Sequence, residues 1–174
     1  MMLVNEGIVE VNSSGGYRVI QLKPSYIKDA FVLRRAIELA GMQLAMAQRD
    51  HKRIQALLES WESFAESPDK QIEAEIQADL LLHKTIAEMG GNRLLYDAWE
   101  RITSIAWLIG RFAYADAKRL ENADVTAREH VHLLRAMLSG GADAAIIALD
   151  THLSNSFARG LESLDSKEQQ LTKT

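Results

Sequence analysis

Asp79, His83, His130 and His152 are the side chains of this sequence whose type and placement suit metal binding. Asp79 and His83 stand four residues apart, so on a helix that turns by about 100° per residue they share one face with apolar residues. His130 and His152 fall among apolar or small residues on two further predicted helices. Three imidazoles and one carboxylate suit Zn, Ni, Mn or Fe(II), but a buried Asp–His hydrogen-bond network would use the same residues without metal. Spacing alone does not separate the two interpretations.

The other two histidines are predicted to lie at the surface. His132 shares a helix side with Arg128 and Arg135, opposite to the side that carries His130. His51 stands at a helix start next to Asp50. Neither histidine is assigned a function.

Arg34 places a positive charge on an apolar stripe of the first predicted helix, which also carries Ile27, Phe31 and Ala45. One interpretation is an ion pair with Glu38, four residues on, and such pairs contribute little when they are exposed. A guanidinium on an apolar stripe is more typical of a site that faces a buried anion. A divalent ion held by three neutral imidazoles and one carboxylate has a net charge of about +1. The ion and Arg34 together would therefore attract a small carboxylate.

Long helices are needed to position these side chains, and the composition permits them. The chain has 2 Pro and 10 Gly in 174 residues, and apolar residues recur at helical spacing through most of it. The predicted helices span residues 25–48, 51–66, 69–89, 92–114, 124–139 and 142–163, with breaks at Asp50, Ser67–Asp69, Gly90–Asn92, Asn122–Asp124 and Gly140–Gly141. Short connections favour antiparallel neighbours. The predicted fold class is all-α, an antiparallel helical bundle of six to seven helices preceded by a β-hairpin.

Three segments divide the chain. Residues 1–24 are predicted to form the hairpin, because short β-branched runs at Ile8–Val11 and Tyr17–Ile20 flank a glycine-containing turn. Residues 25–164 form the predicted helical domain that binds metal and effector. Residues 165–174 are polar and predicted to be a tail.

The composition excludes several classes of site and partner. There is no Cys, so disulfides, thiolate metal sites and Cys nucleophiles are ruled out. No apolar run approaches the roughly 18 residues of a membrane span, so a cytoplasmic protein without membrane contact is expected. The net charge is -4, with 24 acidic residues against 20 Lys and Arg. Since nucleic-acid binders usually carry a basic surface, tight DNA binding by this segment is not expected.

An ordered set of short motifs resembles the C-terminal effector domain of the FadR branch of GntR-type transcription regulators. The motifs are Arg34-x-x-Ile37-Glu38, Asp79-x-x-x-His83, Gly91-Asn92-x-Leu94-Leu95, Glu129-His130 with Leu133, the Gly-Gly-Ala-Asp turn at 140–143, and Thr151-His152-Leu153. The resemblance implies that Asp79, His83, His130 and His152 bind a divalent metal ion. It further implies that Arg34 contacts a small organic acid effector that completes the metal coordination, and that the protein is a homodimer.

The hairpin resembles the wing that ends a winged helix-turn-helix domain. The family's DNA-reading domain needs roughly 60–70 residues, whereas about 24 precede the predicted helical domain. DNA contact is therefore expected only through a missing or incomplete winged helix-turn-helix. A fragment, a misjudged gene start and a natural truncation are equally compatible with this sequence.

Three functions compete. The leading one is the ligand-sensing domain of a metabolite-responsive transcription regulator, which is not an enzyme and has no catalytic residue. A metal-dependent hydrolase is the second, but no inward carboxylate beyond the candidate ligand is identified except Glu38, which stands beside Arg34. The third is a metal-free module that dimerises with a full-length regulator and modulates it.

Overall fold

The computed structural model of the protein describes residues 9–20, 23–67, 71–113 and 118–171. Within these residues a two-stranded hairpin precedes six helices. The strands are β1 (Val9–Val11) and β2 (Tyr17–Val19). The helices are α1 (Pro24–Gln48), α2 (His51–Glu66), α3 (Ile72–Met89), α4 (Arg93–Ala113), α5 (Lys118–Ser139) and α6 (Ala142–Leu171). The predicted all-α bundle with an N-terminal hairpin is confirmed.

The hairpin pairs where the sequence predicts it. β1 and β2 are antiparallel, with Val9 opposite Val19 and Val11 opposite Tyr17. The Asn12 side-chain oxygen accepts hydrogen bonds from the backbone N–H groups of Ser14 and Gly16, at 3.1 and 2.8 Å, which fixes the turn. Ile8, which the prediction included in the first strand, lies outside the described residues.

Helix boundaries follow the predicted breaks except at two ends. Asp50 and Asn92 each accept a hydrogen bond at 3.1 Å from the backbone N–H three residues on, and so begin α2 and α4 as N-caps. The predicted break at Asn122–Asp124 is wrong, because α5 already begins at Lys118. Residues 118–121 are strong helix formers, and they extend the helix through an isolated Asn and Asp. The predicted end at residue 163 is also wrong, because α6 continues to Leu171. No Gly or Pro follows residue 163 to stop the helix earlier.

The core lies where α2, α5 and α6 pack together and α1 crosses α3, α4 and α6. Its fully buried side chains are Met42, Ile54, Trp61, Leu82, Leu133, Leu134, Met137, Leu149 and Leu153. Arg49, just after α1, donates to the carbonyl oxygens of Met137, Leu138 and Gly140 at the end of α5. This contact satisfies carbonyls that the helix end leaves unpaired and fixes α1 against α5. Among the described residues, no helix is long and apolar enough to cross a membrane.

Candidate metal centre

The four side chains predicted to bind metal converge at one place in the bundle. Asp79 and His83 lie one turn apart on α3, His130 lies on α5, and His152 lies on α6. Each offers one ligand atom, and these atoms all lie within 4.8 Å of one another. The three histidines are buried, whereas the Asp79 side chain is 26% exposed.

The separations between the candidate ligand atoms fit a small cation. Nε2 of His83 lies 3.3 Å from Nε2 of His152 and 3.7 Å from Oδ1 of Asp79. Nε2 of His130 lies 3.2 Å from the same Asp79 oxygen. Bonds of about 2.0–2.2 Å to a divalent ion place neighbouring ligand atoms roughly 3.0–3.6 Å apart. Three of the six separations therefore lie in or near this range, and the other three are at most 4.8 Å.

Glu38 holds His83 and is itself held by Arg34. Nδ1 of His83 lies 2.6 Å from Oε2 of Glu38, and Nε of Arg34 donates to Oε1 of the same carboxylate at 2.6 Å. Burial alone would raise the pKa of Glu38, but the charge of Arg34 and the hydrogen bonds from His83 and Arg34 outweigh burial and lower the pKa to about 2. Because Glu38 is an ionised acceptor, Nδ1 of His83 carries the hydrogen. The Arg34–Glu38 pair considered from the sequence is present, in a buried position where it orients His83.

A second chain of contacts runs from Arg159 through Glu129 to His152. Oε2 of Glu129 lies 3.1 Å from Nδ1 of His152, and Arg159 donates to both Glu129 oxygens at 2.8 and 2.9 Å. Asn155 donates to Oε1 at 2.9 Å. Burial would raise the pKa of Glu129, but hydrogen bonds from Arg159, His152 and Asn155 hold it well below its usual range. Nδ1 of His152 therefore also carries the hydrogen.

The sequence-based prediction assigned no role to Glu129 or Arg159. A signal for Arg159 was present, because His152, Asn155 and Arg159 recur at helical spacing on one face of α6. Glu129 gave no such signal, since it stands next to His130 on α5 and reaches His152 only across the contact between two helices.

The tautomers of His83 and His152 leave two lone pairs facing each other. With both Nδ1 atoms protonated, both Nε2 atoms are acceptors, and they lie 3.3 Å apart. Two acceptors at this distance repel each other unless a proton or a cation lies between them. Burial holds the pKa of His152 below its ordinary value, and repulsion from His83 adds to that effect although Glu129 opposes it. A cation bound between the two Nε2 atoms would remove this repulsion.

His130 gives a second indication of a cation. Its ring is fully buried, with its centroid 4.0 Å from that of Trp61. Nδ1 has no hydrogen-bond partner among the described residues, and Nε2 has only the Asp79 oxygen at 3.2 Å, without hydrogen-bond geometry. Leaving such nitrogens unpaired is costly, and ligation would satisfy Nε2. Burial, with repulsion from His152, lowers the pKa of His130 to about 3, so the ring is neutral and able to bind metal.

A cavity of about 130 Å³ adjoins the cluster. Asp79 and His83 form part of its wall, and both guanidinium groups described above, Arg34 and Arg159, line it as well. Most of the remaining wall is apolar, from Ile27, Ala30, Phe31, Ile76, Leu80, Ala106, Leu153 and Phe157. A ligand in the cavity would thus lie beside the candidate ligands and two cations while resting on apolar side chains.

One inward carboxylate, that of Glu75, was missed in the sequence analysis. No inward carboxylate besides the candidate ligand and Glu38 was identified, yet Glu75 is 3% exposed and lines the cavity. It stands four residues before Asp79, and therefore on the same face of α3, so the helical pattern could have revealed it. His132 and His51 are exposed, as predicted.

The depressed pKa of His130 makes stability depend on pH. An unfolded chain binds a proton at His130 below about pH 6.5, whereas the folded protein resists protonation until about pH 3. We therefore expect His130 to leave the unfolding free energy of the metal-free protein unchanged above about pH 6.5. Below this pH the unfolding free energy should fall by up to about 1.4 kcal/mol per pH unit. Urea denaturation between pH 7.5 and 5 measures this slope. His130→Asn should flatten it, and an equal slope in this variant would contradict the assignment.

Glu129 should tune metal affinity through His152. We expect Glu129→Gln to weaken metal binding by about 10- to 100-fold, because a neutral amide cannot hold Nδ1–H of His152 as a carboxylate does. Competition with a chromogenic chelator measures the change. Glu62→Gln is a matched control, since Glu62 pairs with Arg135 at the surface. Equal affinity in both variants would contradict the role of Glu129.

The chain is similar to known proteins of one kind. The model of the FCD domain matches residues 29–155. Over 84 residues the chain is 31% identical to the HTH-type transcriptional repressor NanR of Cronobacter sakazakii (strain ATCC BAA-894). That match covers 48% of this chain and 32% of NanR, so the chain spans about a third of this curated relative.

Solved structures share the fold. E. coli McbR/YncC superposes with a TM-score of 0.79 at 17% identity, covering 94% of this chain and 77% of that one. The metal-free FCD domain of TM0439 gives 0.73 at 21% identity, covering 84% and 99% of the two chains. The Zn²⁺-bound FCD domain of TM0439 gives 0.69 at 20% identity, covering 83% and 98%.

NanR is named as a transcriptional repressor and TM0439 as a putative transcriptional regulator, which agrees with the prediction of a regulator domain rather than an enzyme. The resemblance inferred from the sequence is confirmed as well, because the family model matches well over half of the residues. The chain belongs to the FCD domain family, the effector-binding domain of GntR-type transcription regulators.

Proposed function

We propose that this chain is the sensor part of a transcription regulator, in which Asp79, His83, His130 and His152 bind one divalent ion and the adjoining cavity binds a small organic acid. The observation that carries the proposal is the pair of Nε2 lone pairs of His83 and His152, 3.3 Å apart, beside a buried His130. Among the described residues, Nδ1 of His130 has no hydrogen-bond partner, and its Nε2 faces only Asp79, itself a candidate ligand. A protein that used these residues only for packing would pair them with hydrogen-bond donors.

Zn, Ni, Mn and Fe(II) all remain suitable for this donor set, since none of its ligands is a thiolate. A Zn²⁺-bound FCD domain with the same fold supports zinc as the first ion to test. When bound, such an ion supplies a positive centre with open coordination positions. This chain supplies the orientation of the imidazoles, through Glu38 on His83 and Glu129 on His152.

The charges around the cavity explain why an acid would depend on the ion. Among the described residues around the cavity, two guanidinium groups and four carboxylates give a formal excess of two negative charges if the imidazoles are neutral. The groups are Arg34, Arg159, Glu38, Glu75, Asp79 and Glu129. A divalent ion removes that excess. A carboxylate would then coordinate the ion directly while a guanidinium takes its second oxygen.

The wider regulator is part of the same proposal. We expect the protein to act as a homodimer, and DNA binding to reside in a winged helix-turn-helix of which the 1–24 segment supplies the wing. Residues 25–164 would then be the sensing domain and 165–174 the polar C-terminal segment. Similarity to a repressor over part of its length supports this organisation.

A thermal-shift screen tests the proposal. The Zn²⁺-loaded chain and the EDTA-treated chain are heated with dicarboxylates, tricarboxylates, sugar acids and their neutral amide analogues. At a hundredfold excess over the dissociation constant, we expect an effector acid to raise the melting temperature by roughly 5–10 °C, and only in the metal-loaded protein. Stabilisation by neutral analogues alone, or equal stabilisation after EDTA, would refute an acid-binding metal site.

A further inference from the structure

Two hydrogen-bonding atoms in the cavity wall have no hydrogen-bond partner within the part of the chain that the structure describes. They are Nε1 of Trp99 and Oγ1 of Thr103, both buried. Trp99 and Thr103 stand four residues apart on α4, and both line the cavity that adjoins the candidate metal ligands. Neither belongs to the metal cluster or to the two Arg–Glu–His chains.

Unpaired buried donors in one wall of a cavity call for a ligand. Buried side-chain polar atoms are nearly always hydrogen-bonded, and each one left unpaired costs about 1–3 kcal/mol. The indole N–H of Trp99 can only donate, whereas the hydroxyl of Thr103 can donate or accept. Both atoms are closed to solvent in this conformation, so an oxygen acceptor in the cavity would pair with them once the two side chains turn toward it. A wholly apolar ligand tail would leave both unpaired.

The other described polar residues that line the cavity lie on different helices, apart from Trp107, which is also on α4. Arg34 belongs to α1, whereas Glu75, Asp79 and His83 belong to α3, Thr126 to α5, and Ser156 and Arg159 to α6. α4 contributes Ala106 together with Trp99, Thr103 and Trp107. The cavity thus has one polar region at the metal cluster and a second one on α4.

We propose that Trp99 and Thr103 recognise a second oxygen-bearing group of the effector, separate from the carboxylate that meets the ion. The ligand class is then a small carboxylic acid with a hydroxyl, keto or second carboxylate group, and plain aliphatic acids are rejected. This inference rests on the proposed function, since it assumes that an acid binds beside the metal cluster.

The cavity volume limits the size of such an acid. A protein cavity of about 150 Å³ accepts a benzene molecule, and this cavity measures about 130 Å³. Acids of about six non-hydrogen atoms therefore fit without rearrangement. Butanoate is of this size, and each of its hydroxy derivatives carries a single additional oxygen, at a different carbon.

Isothermal titration calorimetry of the Zn²⁺-loaded 174-residue chain tests the inference with four probes: butanoate and its 2-, 3- and 4-hydroxy derivatives. We expect at least one hydroxy acid to bind about tenfold or more tightly than butanoate, because its hydroxyl pairs with atoms that butanoate leaves unpaired. Thr103→Val and Trp99→Phe each remove one polar atom, and each should reduce that ratio toward one while butanoate affinity is retained.

Two further variants and two measurements separate recognition from folding. Thr103→Ser keeps the hydroxyl and should retain the preference. Thr85→Val also removes a buried hydroxyl, but that hydroxyl bonds to the Leu81 carbonyl oxygen away from the cavity, so the preference should remain. Melting temperature and zinc content are recorded for every variant, so that loss of fold or metal is seen directly.

The outcomes distinguish the two proposals. If butanoate binds as tightly as all three hydroxy acids, the inference about α4 is overturned and the acid-binding metal site stands. If the hydroxy preference persists unchanged in both Thr103→Val and Trp99→Phe, the assignment to these residues is overturned. If neither these probes nor any acid of the wider panel binds the metal-loaded chain, the proposed function fails and this inference fails with it.

Discussion

Replacing His83 with alanine is expected to weaken divalent-metal binding by at least about a hundredfold, so that the purified variant retains only a trace of an ion that the parent protein holds at one per chain. His83 offers Nε2 at the centre of the cluster, 3.3 Å from the His152 nitrogen and 3.7 Å from the Asp79 oxygen. Its loss removes a ligand and leaves Glu38 without one of its two partners. Elemental analysis after dialysis against trace metal measures the content directly.

His132→Ala is the matched control. His132 lies on α5 two residues after His130, but its side chain is exposed, so removing it should leave the metal content unchanged. Both variants delete one imidazole, and therefore they change the histidine count equally. Equal losses in the two would show that surface histidines, rather than the buried cluster, bind the ion. Equal retention would leave the buried nitrogens without a metal and favour the metal-free network.

The four candidate ligands could be predicted from sequence because each lies on a helix with one clearly buried face. On α3, α5 and α6, apolar residues repeat every three or four positions, and a polar residue within that repeat has to point inward. The same periodicity correctly separated His130 from His132, which are two residues apart and point in opposite directions. The inward direction of each side chain was thus a local property.

The partners across helices could not be predicted in this way. Glu129 reaches His152 through the packing of α5 on α6, and Glu38 reaches His83 through the packing of α1 on α3. Periodicity gives the face of a helix but not its rotation and height against a neighbour. The same limit applies to Trp99 and Thr103, whose unpaired atoms become evident only once the cavity beside α4 is formed.

Two series of contacts, Arg34–Glu38–His83 and Arg159–Glu129–His152, each connect the cavity with the candidate metal ligands. Arg34 and Arg159 both line the cavity, each binds a carboxylate, and each carboxylate holds Nδ1 of a candidate metal ligand. An acid that binds a guanidinium shares it with Glu38 or Glu129. Binding of acid and binding of metal are therefore expected to be coupled, and by linkage each should change the affinity of the other by the same factor.

Arg34→Ala is expected to weaken acid binding by about 30-fold or more, because truncating one partner of a buried charge pair costs about 2 kcal/mol or more. The Arg34 side chain is 20% exposed, so little solvent competes for its contacts. Calorimetric titration of the metal-loaded variant with the acid identified by thermal shift measures the loss. Metal content must be recorded in parallel, since Glu38 loses its guanidinium partner in this variant but keeps His83.

Arg35→Ala is the control that decides the interpretation. Arg35 is the next residue on α1, pairs with Asp150 at the surface, and does not line the cavity. Its removal changes the net charge of the protein by the same amount, so a general electrostatic effect would weaken acid binding in both variants. We expect the Arg35 variant to bind the acid as the parent does. A selective loss in Arg34→Ala at full metal occupancy assigns the guanidinium to the acid, whereas unchanged acid binding there would mean that the carboxylate is held without Arg34, by the ion alone or with Arg159.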